Sequence, residues 1–218
     1  MIDSHVHVGQ FFDIYTTPGL LSNEMKEVGV DYYAVSSTTM CDEDYEKVLY
    51  EIRELIRLDG AKVLPVLWVT PNLIIEDKES LFLNSEIAWK MIKIHPQLHP
   101  DFWQENEECM DYVVRLCQEL RIPLLIHTGE RNSCEVRHFV PIIERHPSQI
   151  FVLAHGRPIS ETIVVMERYP NVWVDTAFMP VDHMVKLASA GLTDRILWGT
   201  DVPINKYFFK DNSTSIYY

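Results

Sequence analysis

Short apolar segments alternate with longer amphipathic segments along most of the chain, and this alternation constrains the fold more than any other feature. Eight of the short segments are rich in apolar and β-branched residues, as strands of a buried parallel sheet are. The eight predicted strands are Ile2–Val8, Tyr32–Thr39, Lys62–Val69, Trp89–His95, Leu124–Thr128, Ile150–Ala154, Val172–Ala177 and Ile196–Gly199.

The segments between these strands carry apolar residues at spacings of three and four, which is typical of helices that pack one face on a sheet. The pattern is clearest in Asp42–Leu58 and Asn106–Leu120. Shorter helices are predicted over Leu20–Val28, Phe139–Arg145, Ser160–Arg168 and His183–Ala190. The stretch Asn72–Glu86 is compatible with a helix or with a loop beside the substrate.

Eight units of strand followed by helix in 218 residues average about 27 residues each, which suits a compact (β/α)8 barrel. We therefore predict an α/β fold in which residues 1–218 form one domain, a TIM-like barrel. An open, doubly wound sheet is the main alternative, but no glycine-rich phosphate loop follows the first predicted strand. Only 17 residues follow Asp201, so we expect the final helix to be short or missing.

Charge and composition narrow the class of partner. The net charge of −13 repels phosphate backbones and anionic lipid, so we expect neither nucleic-acid nor membrane binding. No apolar run approaches the roughly 20 residues of a membrane helix, and the first residues lack the basic and apolar regions of a secretory signal. The spacing of the four cysteines fits no zinc motif or disulfide framework. These features predict a cytoplasmic protein with reduced thiols.

Histidine and aspartate recur where the predicted strands end. His5 and His7 lie two apart on the first strand, so their side chains share one face. His127 ends the fifth strand, His155 follows the sixth, and Asp201 follows the eighth. In a (β/α)8 barrel the active site is built from the carboxyl ends of the strands. The sequence therefore predicts that these five side chains converge as metal ligands or catalytic groups.

Cationic side chains near the same strand ends have several interpretations. Lys93 lies among apolar residues on the fourth strand, where a charge is costly unless it is paired or modified. It is a carbamylated metal bridge, a cation for a substrate anion, or a member of a structural ion pair. Arg131 and Arg157 lie on loops beyond the fifth and sixth strands, where they either bind a substrate carboxylate or form surface ion pairs. Trp68 and Phe178 are candidates for an apolar pocket wall.

Together these strand ends resemble the metal-dependent amidohydrolase superfamily, and most of all its amidohydrolase 2, or amidohydrolase-related, branch. The similarity extends from residue 2 to residue 203. The segments that carry it are Ile-Asp-Ser-His5-Val-His7, Ile-Lys93-Ile-His95-Pro, Leu-Ile-His127-Thr-Gly, Leu-Ala-His155-Gly, Pro-Asn-Val-Trp-Val-Asp175-Thr and Ile-Leu-Trp-Gly-Thr-Asp201-Val-Pro.

The resemblance implies a distorted (β/α)8 barrel with a divalent metal, most often zinc, with manganese or iron as alternatives. His155 would bind a second metal or contact the substrate. Lys93 occupies a position that is carbamylated in some binuclear relatives and unmodified in many mononuclear ones, and we favour one ion over two. Lysine at this position also argues against the related TatD-type nucleases. The metal ligands implied by position are His5, His7, His127 and Asp201.

The expected function is hydrolysis of a small amide, lactone or ester by a metal-activated water. Asp201 would accept the proton of that water, His155 would assist catalysis, and Lys93, Arg131 or Arg157 would hold a substrate carboxylate. Alternatives are a nonoxidative decarboxylase or hydratase of a small carboxylic acid, a phosphoesterase of the PHP type, and a metal-binding domain without catalysis. Short loops after the strands suit a small-molecule substrate, or a pocket that a second subunit of a homo-oligomer completes.

Overall fold

A computed structural model describes residues 1–99 and 103–208. Their nine strands lie in one sheet, in the order β2-β1-β3-β4-β5-β6-β7-β8-β9. The strands are β1 (Ile2–Phe11), β2 (Ile14–Thr16), β3 (Tyr32–Ser37), β4 (Val63–Trp68), β5 (Met91–Ile94), β6 (Leu124–His127), β7 (Phe151–Ala154), β8 (Val172–Asp175) and β9 (Ile196–Leu197).

Helices connect most of the strands. The two longest, α2 and α5, are the two that the sequence predicted most clearly. The helices are α1 (Pro18–Glu27), α2 (Tyr45–Asp59), α3 (Pro71–Ile75), α4 (Glu79–Leu83), α5 (Glu107–Leu120), α6 (Val140–Arg145), α7 (Ile159–Arg168), α8 (Val181–Ser189) and α9 (Ile204–Phe208). Across the described part of the chain, none of these helices has the length and apolar character to cross a membrane.

All strand pairs except β1 with β2 are parallel. Backbone hydrogen bonds also join β1 to residues 198–202, which follow β9. The amide of Ser4 donates to the carbonyl of Trp198 at 2.9 Å, and the amide of His7 donates to the carbonyl of Val202 at 2.6 Å. The eight parallel strands therefore curl into a ring, which confirms the predicted (β/α)8 barrel and excludes the open sheet.

Three local features differ from the prediction or refine it. The first strand continues past Val8 and turns back at Phe12 (φ 50) to form an antiparallel hairpin with β2, in which Phe11 pairs with Ile14. The ambiguous stretch Asn72–Glu86 includes most of α3, which begins at Pro71, and all of α4, and each helix has five residues. The expected short final helix is α9, also of five residues, and residues 209–218 lie outside the described part of the chain.

Apolar side chains form two cores. The larger core lies where the helices pack on the outer face of the sheet. The smaller cluster takes its members from strands β3 to β7 alone, which places it inside the ring. Its buried members are Ala34, Val66, Met91, Leu125, Val152 and Ala154. Side chains alternate between the two faces of a strand. On each of these strands, the residue two positions after a member of the smaller cluster therefore also points inward, closer to the carboxyl end of the barrel.

Candidate metal centre

Three side chains from opposite ends of the sequence meet at the carboxyl end of the barrel. His5 and His7 lie on β1, and Asp201 follows β9. Nε2 of His7 lies 2.9 Å from Oδ1 of Asp201, and Nε2 of His5 lies 3.6 Å from the same oxygen. The two Nε2 atoms are 3.2 Å apart, and all three residues are buried. These groups are close enough for their ligating atoms to hold one ion.

Neighbouring residues orient both histidine rings. Nδ1 of His5 lies 2.9 Å from Oδ2 of Asp175, an acceptor, so the proton of a neutral ring resides on Nδ1. Nδ1 of His7 lies 3.0 Å from the hydroxyl of Ser36. Both rings therefore direct Nε2 toward the centre, and the lone pair of His5 faces inward. Such a partner on the far nitrogen is the usual support of a histidine that binds metal.

The ionisation states of these residues suit metal binding. Burial lowers the pKa of His7 to about 3, and the charge of Lys93 adds to the effect. Burial and Lys93 likewise hold the pKa of His5 well below its ordinary value. Burial alone would raise the pKa of Asp201, but His5 and His7 keep it well below its usual range. Two neutral imidazoles thus face one carboxylate near neutral pH, the protonation states that metal ligands require.

Lys93 lies in the middle of this group. It is 1% exposed, and its Nζ lies 2.9 Å from Nε2 of His5 and 3.1 Å from Nε2 of His7. The side chain therefore points into the barrel, where it lies within hydrogen-bond distance of both β1 histidines. Burial lowers the pKa of Lys93 to about 8, although the carboxylates of Asp201 and Asp175 oppose the change.

His127 and His155 form a second pair beside the first. Nδ1 of His155 lies 2.8 Å from the carbonyl of Ala177, so it donates there and its Nε2 is an acceptor. That Nε2 lies 3.1 Å from Nδ1 of His127. Nε2 of His127 lies 2.7 Å from Oε2 of Glu130, which also requires a proton on the nitrogen. In neutral rings two lone pairs then face each other, an arrangement that a cation between them stabilises.

The donor set therefore fits a divalent metal. Oδ1 of Asp201 is buried and accepts no hydrogen bond, although it lies 2.9 Å from Nε2 of His7. Such an oxygen is costly unless a cation compensates it. Ligands about 2.0–2.1 Å from a tetrahedral zinc lie roughly 3.3 Å from each other, and the separations between His5, His7 and Asp201 bracket that value. Nitrogen and carboxylate ligands suit zinc, manganese and iron.

The two arginines predicted to bind substrate lie in different surroundings. Arg157 forms an ion pair with Glu130, and its guanidinium lies 5.9 Å from the ring centre of Phe178. Arg131 is exposed on the loop after Glu130, and among the described residues it is not part of the cavity lining. Glu130 therefore brings Arg157 close to His127, and Arg157, like Arg131, is not among the described residues that line the cavity.

A cavity of ≈ 400 Å³ opens above the centre, and its walls include His7, Lys93, His127, His155 and Asp201. This volume matches a small-molecule substrate. Aromatic side chains supply much of the remaining wall. They include Phe11, Phe12, Trp68, His95, Phe178 and Phe208.

Sequence reasoning gave no role to Asp175, although Asp175 contacts the predicted ligand His5; Glu130 likewise contacts His127. Asp175 also accepts hydrogen bonds from the amides of His155 and Ala177, at 3.0 and 3.1 Å. The sequence signal that could have indicated a role for Asp175 was its position at the end of β8, one residue past a buried valine. Glu130, His155 and Asp201 have positive φ values of 59, 68 and 60, a strained conformation that clusters at functional sites.

The comparison with family models agrees with this geometry. The model named Amidohydro_2, described as Amidohydrolase, matches residues 2–212. This match spans nearly the whole chain and includes every element of the site. The chain therefore belongs to the amidohydrolase family, and it is a metal-dependent hydrolase. This confirms the resemblance inferred from the strand ends.

Solved structures show the same fold at low sequence identity. An uncharacterised TIM-barrel protein from Bordetella bronchiseptica is 16% identical with a TM-score of 0.66, and the match covers 93% of this chain and 86% of that one. A TatD-like protein from Archaeoglobus fulgidus is 16% identical with a TM-score of 0.59, covering 97% and 94%. Dihydroorotase from Campylobacter jejuni is 13% identical with a TM-score of 0.59, covering 98% and 78%. No curated protein matches the chain significantly.

Proposed function

We propose that the protein hydrolyses a small amide, lactone or ester in the cavity above the metal centre, with residues 1–218 acting as one domain. The observation that carries the proposal is the convergence of His5 and His7 on Oδ1 of Asp201, a buried carboxylate oxygen that accepts no hydrogen bond. These three residues would hold the ion, with His127 and His155 beside them. A bound divalent metal would supply an acidified water at neutral pH.

Residues of the chain would transfer the proton and orient the metal ligands. Asp201, ionised and at the floor of the cavity, accepts the proton of the attacking water and passes it to the leaving group. Asp175 fixes the ring of His5. Nδ1 of His155 donates to the carbonyl of Ala177, so in the neutral ring Nε2 would present its lone pair to a bound metal. Buried surroundings strengthen each of these interactions.

The experiment combines metal analysis with one variant. Purified protein is loaded with zinc, manganese or iron, and turnover is measured on a panel of lactones, amides and esters. Asp201→Asn keeps the shape of the side chain and removes the basic carboxylate, so we expect turnover to fall at least about 100-fold with folding retained. A folded Asp201→Asn variant with near-normal turnover would contradict the role of Asp201 as base.

The count of metal ions depends on Lys93. We propose one ion and an unmodified lysine, because Nζ of Lys93 lies within hydrogen-bond distance of Nε2 of both His5 and His7. On this proposal Lys93→Met removes a cation from the centre, so one ion is still bound per chain and at least as tightly. If a carbamate bridges two ions, the wild-type protein binds two and Lys93→Met binds fewer. Metal stoichiometry and the mass of the intact native protein separate these outcomes.

A further inference from the structure

Two aromatic walls rise from the metal centre and meet at the floor of the cavity. The ring of His127 stacks on His95 with 3.6 Å between centroids, and His95 stacks on Trp68 at 5.2 Å. On the other side, the ring of His155 contacts Phe178 at 5.9 Å. The rings of His127 and His155 are 4.8 Å apart and nearly perpendicular, so the two walls form a corner beside the predicted ligands.

The second wall continues to the mouth of the cavity. Phe178 contacts Phe208 at 6.1 Å, Phe208 contacts Phe11 at 6.2 Å, and Phe11 contacts Phe12 at 4.6 Å between ring centroids. Phe12 and Phe208 are 67% and 59% exposed. Their rings line the entrance, and a ligand would remove this apolar surface from water. A path of ring faces and edges thus leads from solvent to the centre.

The charges around the cavity do not suit a carboxylate on the outer part of the substrate. Lys93 is the only lysine or arginine among the described residues that line the cavity, and its Nζ contacts His5 and His7 at the floor. Glu130 brings negative charge to the wall and pairs with Arg157. A buried anion without a cationic partner is costly, and aromatic faces repel negative charge.

We propose that the substrate is uncharged and carries an aromatic ring next to its scissile group. The ring lies between the two walls, and the amide, lactone or ester group reaches the metal centre. This inference rests on the proposed function for the position of the scissile group, and it replaces the predicted carboxylate anchors with ring contacts. Offset or edge-to-face packing on such walls favours a flat ring over a saturated one.

The test measures binding of probes that no hydrolase cleaves, in the zinc-loaded protein. Benzyl alcohol, cyclohexylmethanol and 4-(hydroxymethyl)benzoate share a hydroxyl group and differ in the ring or in an added carboxylate. Titration followed by NMR gives each affinity. We expect benzyl alcohol to bind roughly 2- to 12-fold more tightly than cyclohexylmethanol, the range expected for aromatic pairs, and at least about 10-fold more tightly than the carboxylate, whose charge would be buried without a partner.

Three variants test whether the wall that contains Phe178 and Phe208 causes the preference for an aromatic ring. Phe178→Leu keeps an apolar side chain without a ring, and Phe208→Ala removes an exposed ring whose loss leaves the core intact. Both should reduce the preference for benzyl alcohol over cyclohexylmethanol. Tyr50→Ala, which removes an aromatic residue on α2 that is 59% exposed and outside the cavity lining, should leave the preference unchanged. Equal effects in all three variants would overturn the assignment.

The result is separable from the proposed function. Equal binding of benzyl alcohol and cyclohexylmethanol, or tighter binding of the carboxylate, overturns the substrate class even if the protein hydrolyses some ester. A clear aromatic preference without hydrolysis of any lactone, amide or ester supports the binding site and overturns the proposed reaction.

Discussion

Replacement of Asp175 by asparagine tests the metal centre at a residue that need not touch the ion. Oδ1 of Asp175 accepts hydrogen bonds from the amides of His155 and Ala177, while Oδ2 lies 2.9 Å from Nδ1 of His5. Asparagine has only one oxygen, and the two backbone donors hold it. Its NH2 group then faces Nδ1 of His5, which must accept the hydrogen bond, so the proton of the ring moves to Nε2.

This change of tautomer removes one ligand from the centre. Nε2 of His5 faces Nε2 of His7 at 3.2 Å, and a protonated Nε2 cannot bind metal. Loss of a group that orients a ligand typically weakens metal binding 10- to 100-fold, or about 1.4–2.8 kcal/mol. We therefore expect the zinc affinity of Asp175→Asn to fall by about that factor, measured by competition with a chromophoric chelator at constant pH.

Asp59→Asn is the matched control. Asp59 is a carboxylate whose side chain is 2% exposed, and it accepts hydrogen bonds from Ser22, Lys26 and Tyr33 outside the metal centre. The Asp59→Asn variant loses the same charge as Asp175→Asn, but at a site outside the metal centre. Its zinc affinity should therefore equal that of the wild-type protein. If folded Asp175→Asn binds zinc as tightly as the control does, the tautomer argument is wrong, and His5 is not a ligand oriented by Asp175.

The remaining predictions concern stability. A Cβ on Gly9 (φ +97) would lie 2.5–2.9 Å from hydroxyl and carboxylate oxygens that include Oε2 of Glu51, whereas a Cβ on Gly29 (φ +71) would have no atom within 4 Å. Gly9→Ala should therefore lower the free energy of unfolding by about 1–3 kcal/mol more than Gly29→Ala does. Equal losses of stability in denaturant titrations would refute the contact. Burial alone would raise the pKa of Asp59, but Lys26 and two hydroxyl groups hold it below the ordinary 3.8. The carboxylate therefore stabilises the fold above about pH 4, and this stability is lost as the pH falls through the lower folded-state pKa; the loss between pH 5 and 2 should be smaller in Asp59→Asn, and identical pH profiles would contradict this.

The barrel and the inward-facing side chains were predictable because both follow from local patterns. Alternation along β5 and β6 puts Met91 and Leu125 in the inner cluster, and it puts Lys93 and His127 two positions further along the same face. The same parity extends to His95, which lines the cavity. Strand ends that meet at one end of a parallel barrel need no further information to converge.

The walls of the cavity were not predictable in the same way. The β1–β2 hairpin brings Phe11 and Phe12 to the mouth, but the sequence at the reversal has neither the Asn-Gly nor the Asp-Gly pair that marks a tight hairpin turn. The stack of Trp68 on His95 joins neighbouring strands, and its 13° interplanar angle is a result of packing. Contact of Phe178 with Phe208 depends on where the chain goes after β9, which no short-range pattern determines.

Closure of the barrel and assembly of the metal centre depend on the same hydrogen bonds. The amide of Asp201 donates to the carbonyl of His5 at 2.7 Å, and the amide of His7 donates to the carbonyl of Val202 at 2.6 Å. Asp3 strengthens this seam, since its carboxylate accepts from the amide of His5 at 3.1 Å and from the hydroxyl of Thr200 at 2.6 Å. Asp201 therefore reaches the β1 histidines only when the first and last strands pair. Because these contacts join residues almost 200 positions apart, the ligand set exists only in the closed ring, and any metal that binds it stabilises that closure.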